Sequence, residues 1–110
     1  MAITAVQKLS DAPLQFRGII NHVIEYEATW NPDSVGSNGE FHESVAVPGA
    51  VLGDMVLVSI DVDQQDMDVH GYVESAGSVR VGINNATAGA VDLGPCNLHI
   101  ILFRPVHIVG

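Results

Sequence analysis

Basic residues, cysteine and aromatic rings are scarce in this chain, and each shortage removes a class of function. Four Lys+Arg stand against 13 Asp+Glu, giving a formal charge of −9. A surface of that sign repels phosphate backbones, whose binding rests on clustered Lys and Arg. Here Lys8, Arg17, Arg80 and Arg104 are scattered. Nucleic acid and membrane are therefore not expected partners. Cys96 is the only cysteine, so no intrachain disulfide can form. Aromatic residues make up only 5% of the chain. No apolar run approaches the roughly 20 residues of a membrane span. The opening residues Met1-Ala2-Ile3-Thr4-Ala5-Val6-Gln7-Lys8 lack the basic-then-apolar order of a secretory signal. These absences predict a product of a reducing cytoplasm.

Apolar residues, by contrast, are plentiful. Of 110 residues, 47% are hydrophobic and 15% charged, the reverse of the balance in disordered chains. The length fits a single domain. A domain this small has too much surface to hide so many apolar residues in one core. The surplus predicts burial against other subunits.

Turn-formers recur every eight to twelve residues or so, the spacing of a sandwich or barrel. Over 24–30, Ile24, Tyr26, Ala28 and Trp30 alternate with Glu25, Glu27 and Thr29, the pattern of a strand with one wet face. That alternation places Trp30 in the core rather than on a sugar ring. Over 40–47, Phe41, Val45 and Val47 share a face, opposite Glu40, His42 and Ser44; Glu43 falls on the apolar side. The segment 55–60 is apolar on both faces, which predicts a central strand covered on both sides. Val69, Gly71 and Val73 alternate against Asp68, His70, Tyr72 and Glu74, and Val79, Val81 and Ile83 against Ser78, Arg80 and Gly82. Ala76-Gly77 reads as the turn between them. The last strong strand is 97–103, with Leu98, Ile100 and Leu102 inward and Ile101 and Phe103 opposite. No helical period persists. The expectation is an all-β fold, an antiparallel β-sandwich (jelly-roll or immunoglobulin-like) of about six to eight strands. Residues 1–22 form an arm or an extra strand, 23–104 the sandwich and 105–110 a tail. A short helix also remains open within 6–23.

Candidate chemistry is thin. Asp61, Asp63, Asp66 and Asp68 could offer oxygen to calcium, but the loop lacks the turn glycine and closing glutamate of the helix-loop-helix site. The alternative is a solvated acidic loop. Cys96 and His99, three apart on a strand, point to opposite faces, and zinc needs further ligands. His22, His42, His70, His99 and His107 are dispersed, with His42 near Glu40 and Ser44 and His70 near Asp68 and Tyr72. No nucleophile elbow or phosphate loop accompanies them. Asn85-Ala86-Thr87 fits the glycosylation pattern without a secretory context. The reading is of no enzyme and no cofactor.

One stretch is distinctive. Val47-Pro48-Gly49-Ala50-Val51-Leu52-Gly53-Asp54-Met55-Val56-Leu57-Val58-Ser59 resembles a segment recurring in small virion proteins of tailed bacteriophages. Residues 69–73 and 79–84, the paired Asn84-Asn85, and Thr87-Ala88-Gly89-Ala90-Val91-Asp92-Leu93 fit the same pattern, so the resemblance spans about 28–103. The acidic 61–68 loop and the N-terminal 1–22 segment depart from it. The resemblance implies a β-sandwich of the capsid decoration (cement) type, without catalytic residues. It implies a homotrimer partnered by the major capsid protein and located on the capsid surface after synthesis in the host cytoplasm. The alternative is a tail or fibre-associated module recognising a host-surface glycan. The candidates for capsid or subunit contact are Ile3, Val6, Leu9, Leu14 and Phe16 near the start, the outward-facing Ile101 and Phe103 of the last strand, and Arg104, Val106 and Ile108 in the largely apolar tail. In this reading the first and last segments grip the shell.

Overall fold

The computed structural model describes residues 3–16 and 20–105, with side chains described for 3–9 and 22–105. Seven strands follow in order: β1 (Ile3–Phe16), β2 (Ile20–Trp30), β3 (Glu40–Ala46), β4 (Met55–Ile60), β5 (Asp68–Ser75), β6 (Ser78–Asn84) and β7 (Cys96–Pro105). They form a four-stranded sheet, β1-β2-β7-β4, and a three-stranded sheet, β3-β6-β5. Every pairing is antiparallel. The expected all-β sandwich is what the chain forms, and among the described residues none is helical.

Alternation explains the layering. Ile24, Tyr26, Ala28 and Trp30 from β2 and Cys96, Leu98, Ile100 and Leu102 from β7 point inward. They meet Val45, Val73, Val79, Val81 and Ile83 of the facing sheet. Trp30, Ile83, Leu98 and Ile100 are wholly removed from solvent. Gly71 marks the closest approach of the layers: a Cβ there would stand 2.6 Å from Val58 Cγ2.

The connector between β3 and β4 shows why its residue types matter. Ala50 N–H donates to Val47 O at 3.1 Å and Asp54 N–H to Val51 O at 3.1 Å. These are two successive β-turns, with Gly49 (φ 97°) and Gly53 (φ 99°) as their third residues. A negative φ followed by a positive one defines a type II turn and calls for glycine second. Pro48 suits the preceding position because its ring fixes φ. Tyr26 Oη then donates to Pro48 O at 2.8 Å, pinning the connector to β2. After β6, the buried Asn85 donates to Val35 O at 2.8 Å and Gly89 O at 2.9 Å, and accepts from Thr87 N–H at 2.9 Å. The asparagine–threonine pair is thus an internal staple.

Two expectations change. The first strand pairs with β2 through three register shifts, with Ala5 (φ 52°) at one of them. Ile3 packs against the core, and its N–H donates to Glu43. Of the readings for residues 1–22, the extra strand holds for Ile3–Phe16, and β2 begins at Ile20, inside that segment. A free arm is not what 3–16 forms, because the backbone is committed to a ladder. The second change concerns β4, which is an edge strand rather than a central one. Val56, Val58 and Ile60 pack on the core, while Met55 and Leu57 stand on the outer face, 47% and 59% exposed.

Truncating Leu98 to alanine should cost about 2–5 kcal/mol, the range for a buried leucine. Leu57→Ala in the isolated chain should change stability by less than about 0.5 kcal/mol. Urea unfolding of both variants checks the assignment of inner and outer faces; equal losses would refute it.

Candidate functional site

The outer face of the four-stranded sheet gathers most of the exposed apolar side chains. Register sets its rows: Met55 lies opposite Phe103 and Phe103 opposite Val23; Leu57 lies opposite Ile101 and Ile101 opposite Glu25; Ser59 lies opposite His99 and His99 opposite Glu27. The first two rows are apolar except for Glu25, whose carboxylate is hydrogen-bonded to the His99 imidazole. Leu52, 63% exposed, extends the patch at the turn before β4. The third row borders a recess of about 230 Å³ lined by Leu9, Glu27, Ser59, Asp61, Asn97 and His99. Exposed apolar side chains on an unpaired edge strand are the usual mark of a contact surface.

Of the terminal candidates, Val6 and Leu9 are exposed on β1, and Ile101 and Phe103 are half-buried on the outer face of β7. The side chains of Leu14 and Phe16, and the whole of Val106 and Ile108, lie outside the described residues. Ile3 faces the core instead. Arg104 has an internal role: its Nε donates to Asp54 Oδ1 at 2.9 Å, and one terminal nitrogen to Asp54 Oδ2 at 3.0 Å and Gly49 O at 2.7 Å. The Asp54 carboxylate is 1% exposed, so the pair locks the glycine-rich connector to the end of β7. Leu52, Met55 and Leu57 were absent from the terminal candidates. The signal was present, since a strand apolar on both sides is covered by a layer of its own chain or by another chain.

The acidic loop does not assemble a centre. Asp61 accepts from Asn97 N–H and from the Asn97 side-chain amide, both at 2.8 Å, and Asp63 caps Gln65 N–H at 2.9 Å. Among the described residues, no group of three or more His, Cys, Asp or Glu side chains is already gathered closely enough to hold a metal ion. The backbone N–H of Asn97, then its side chain, holds the Asp61 carboxyl below its ordinary range. Hydrogen bonds from Ser44 and then Ser78 lower Glu74 likewise. Burial, then the charge of Asp61, pushes the Cys96 thiol up, which disfavours the reactive thiolate.

Ser59, His99 and Glu25 bring the residue types of a hydrolytic triad onto one face, yet Ser59 makes no hydrogen bond to His99, and it sits on a regular strand rather than a strained turn. A sugar platform fares no better. Trp30 and Tyr26 are core residues, and Tyr72 is the only aromatic side chain among the described residues in the exposed class. Among the described residues, no helix is long and apolar enough to cross a membrane. Compared with known proteins, the chain matches no family model, and no curated protein or solved structure matches it at a significant level.

Two outcomes are expected. Arg104→Ala, which strands the Asp54 carboxylate, should destabilise the fold by about 3 kcal/mol in chemical denaturation; a loss indistinguishable from a surface substitution would show the pair to be inert. Asp61 is lowered in the folded state, so its contribution is present above the ordinary carboxylate range and is lost as pH falls through the lowered value. Asn97→Ala keeps the backbone N–H and removes only the side-chain donor, so it should move the Asp61 titration part of the way back toward the ordinary range, read from side-chain carboxyl NMR shifts. An unmoved titration would leave the lowering to the backbone N–H alone.

Proposed function

We propose that the protein is a non-catalytic virion module of the capsid decoration, or cement, type. It associates as a homotrimer, binds the major capsid protein on the outer surface of the lattice, and stabilises the head. The observation that carries this reading is the largely apolar outer face around Met55, Leu57, Ile101 and Phe103, with Glu25 the charged side chain in these rows, beside the open edge of β4. Copies of a chain with a formal charge of −9 repel one another, so a face poor in charge is the favourable place for them to meet. Closed cyclic assembly is the ordinary way to bury such a face. A trimer suits a three-fold position of a lattice, and linked copies hold a shell more tightly than separate ones.

The rest of the molecule supports the reading by its rigidity. The segments that resemble small phage virion proteins contain the two glycine turns, the Asp54 side of the clamp to Arg104, and the Asn85 staple. All are devices for holding loops still, which a shell-reinforcing protein needs and which require no active site. The gripping surface is reassigned from a free N-terminal arm to the outer sheet face, because β1 is laddered to β2.

The test combines light scattering with mass spectrometry of purified particles. The wild type should be trimeric in solution and present in hundreds of copies per particle, a scale set by avidity on a repeating lattice. Burial of a leucine contributes about 1.5–3 kcal/mol, so Leu57→Glu should weaken self-association at least about tenfold. It should also be lost from particles while remaining folded. A monomeric wild type, or full occupancy by Leu57→Glu after a heat challenge, would overturn the proposal. A dozen copies or fewer would place the module in the tail.

A further inference from the structure

The outer face of the three-stranded sheet carries a different constellation, independent of the capsid reading. Its central strand β6 presents Gly82, which pairs with His42 of β3 on one side and His70 of β5 on the other. With no side chain between them, the two imidazoles lean together over Gly82. Their ring centroids are 5.9 Å apart at an interplanar angle of 70°. His70 Nε2 and the Cδ2–Nε2 edge of His42 face the gap: a Cβ built on Gly82 would stand 2.7 Å from His70 Nε2, and 2.5 Å and 2.9 Å from His42 Cδ2 and Nε2. The next row along the sheet is Glu40, Asn84 and Asp68. Glu40 Oε2 is 3.8 Å from His42 Nε2, and Asp68 Oδ2 is 3.4 Å from His70 Nδ1.

We propose that His42 and His70 bind one divalent transition-metal ion of the zinc, nickel or copper class above Gly82. Imidazole nitrogen is the ligand these ions share. The orientation of His70 fits: Nε2 faces the glycine gap while Nδ1 faces a carboxylate, the arrangement in which an outer carboxylate orients a metal-bound histidine. That Nδ1 is buried without a hydrogen-bond partner, as is Asn84 Oδ1 in the next row. Ligation at Nε2 makes Nδ1–H a stronger donor and draws Asp68 into the bond that is missing. Glu40 is not gathered with both rings, so the two imidazoles are the protein ligands and water completes the shell. The rings are 25% and 35% exposed, so they can turn the short way needed to reach bond lengths of about 2.0–2.1 Å. Arg80 lies in the row beyond and is directed to Ser44 and Glu74, 3.5 Å and 4.0 Å away, so its cation is occupied by other groups.

The test uses untagged, chelator-treated full-length protein titrated with zinc, nickel or copper chloride by calorimetry. One ion per chain is expected, with at least tenfold weaker binding in His42→Gln and in His70→Gln and unchanged binding in His99→Gln. Gly82→Ala is the decisive variant: it keeps both imidazoles but fills the gap between them, and it should weaken binding as much as losing either ring. Should a variant fail to fold, copper broadening of wild-type amide resonances supplies a second reading, expected at His42, His70 and Gly82 and absent at His99. No binding by the wild type, binding that survives in both single variants, or broadening centred on His99 would each overturn the proposal.

Discussion

The packing of β2 and β7 against β6, with Trp30, Leu98, Ile100, Val81 and Ile83 sealed from water, is the contact on which everything else rests. Among the described residues no helix covers either sheet, so each layer has only the other to exclude solvent from its inner face. That constraint fixes the direction of every side chain along every strand, since a slip of one residue would exchange inner and outer faces. It also fixes what is left over. Whatever alternates away from the shared core becomes the working surface, and the two outer faces differ sharply in chemistry.

On the larger sheet the leftovers are apolar near β4 and polar toward His99. On the smaller sheet they are charged and imidazole-bearing, with Arg80, Glu74, Ser44 and Ser78 forming one network and His42, His70, Glu40 and Asp68 another. One face is thus suited to dry contact with protein and the other to water and ions. On β3 a polar side chain breaks the inner pattern. Glu43 points to the core side of β3, where it accepts from the Ile3 amide and from Trp30 Nε1 at 3.5 Å. A carboxylate that falls on the apolar side of the alternation is therefore the fastening of the first strand to the facing sheet.

Most of the architecture was legible because alternation is a local signal. The inward sets of β2, β6 and β7 follow from period two alone, as does the burial of Trp30. What was not legible is whatever depends on the order of strands. The apolar run of β4 has the same pattern in the middle of a sheet as at its edge; only its place beside β7 reveals that Leu57 faces outward. Arg104 stands among the terminal contact candidates by sequence because its partner Asp54 is remote in the chain and arrives through two tight turns. The pairing of His42 with His70 likewise needs the register of both strands against Gly82. For residues 3–16, Pro13 and the irregular pattern hid a strand whose register shifts spoil simple alternation.

Those shifts in β1 carry a further consequence for growth. Extending a ribbon by adding strand to strand requires two usable borders on every unit. One border of the larger sheet is crimped where β1 slips register and Ala5 adopts a left-handed backbone, while the other, β4, is straight and short. Addition through β4 therefore consumes the regular border of this sheet and leaves an irregular one exposed, which disfavours further strand-to-strand growth through it.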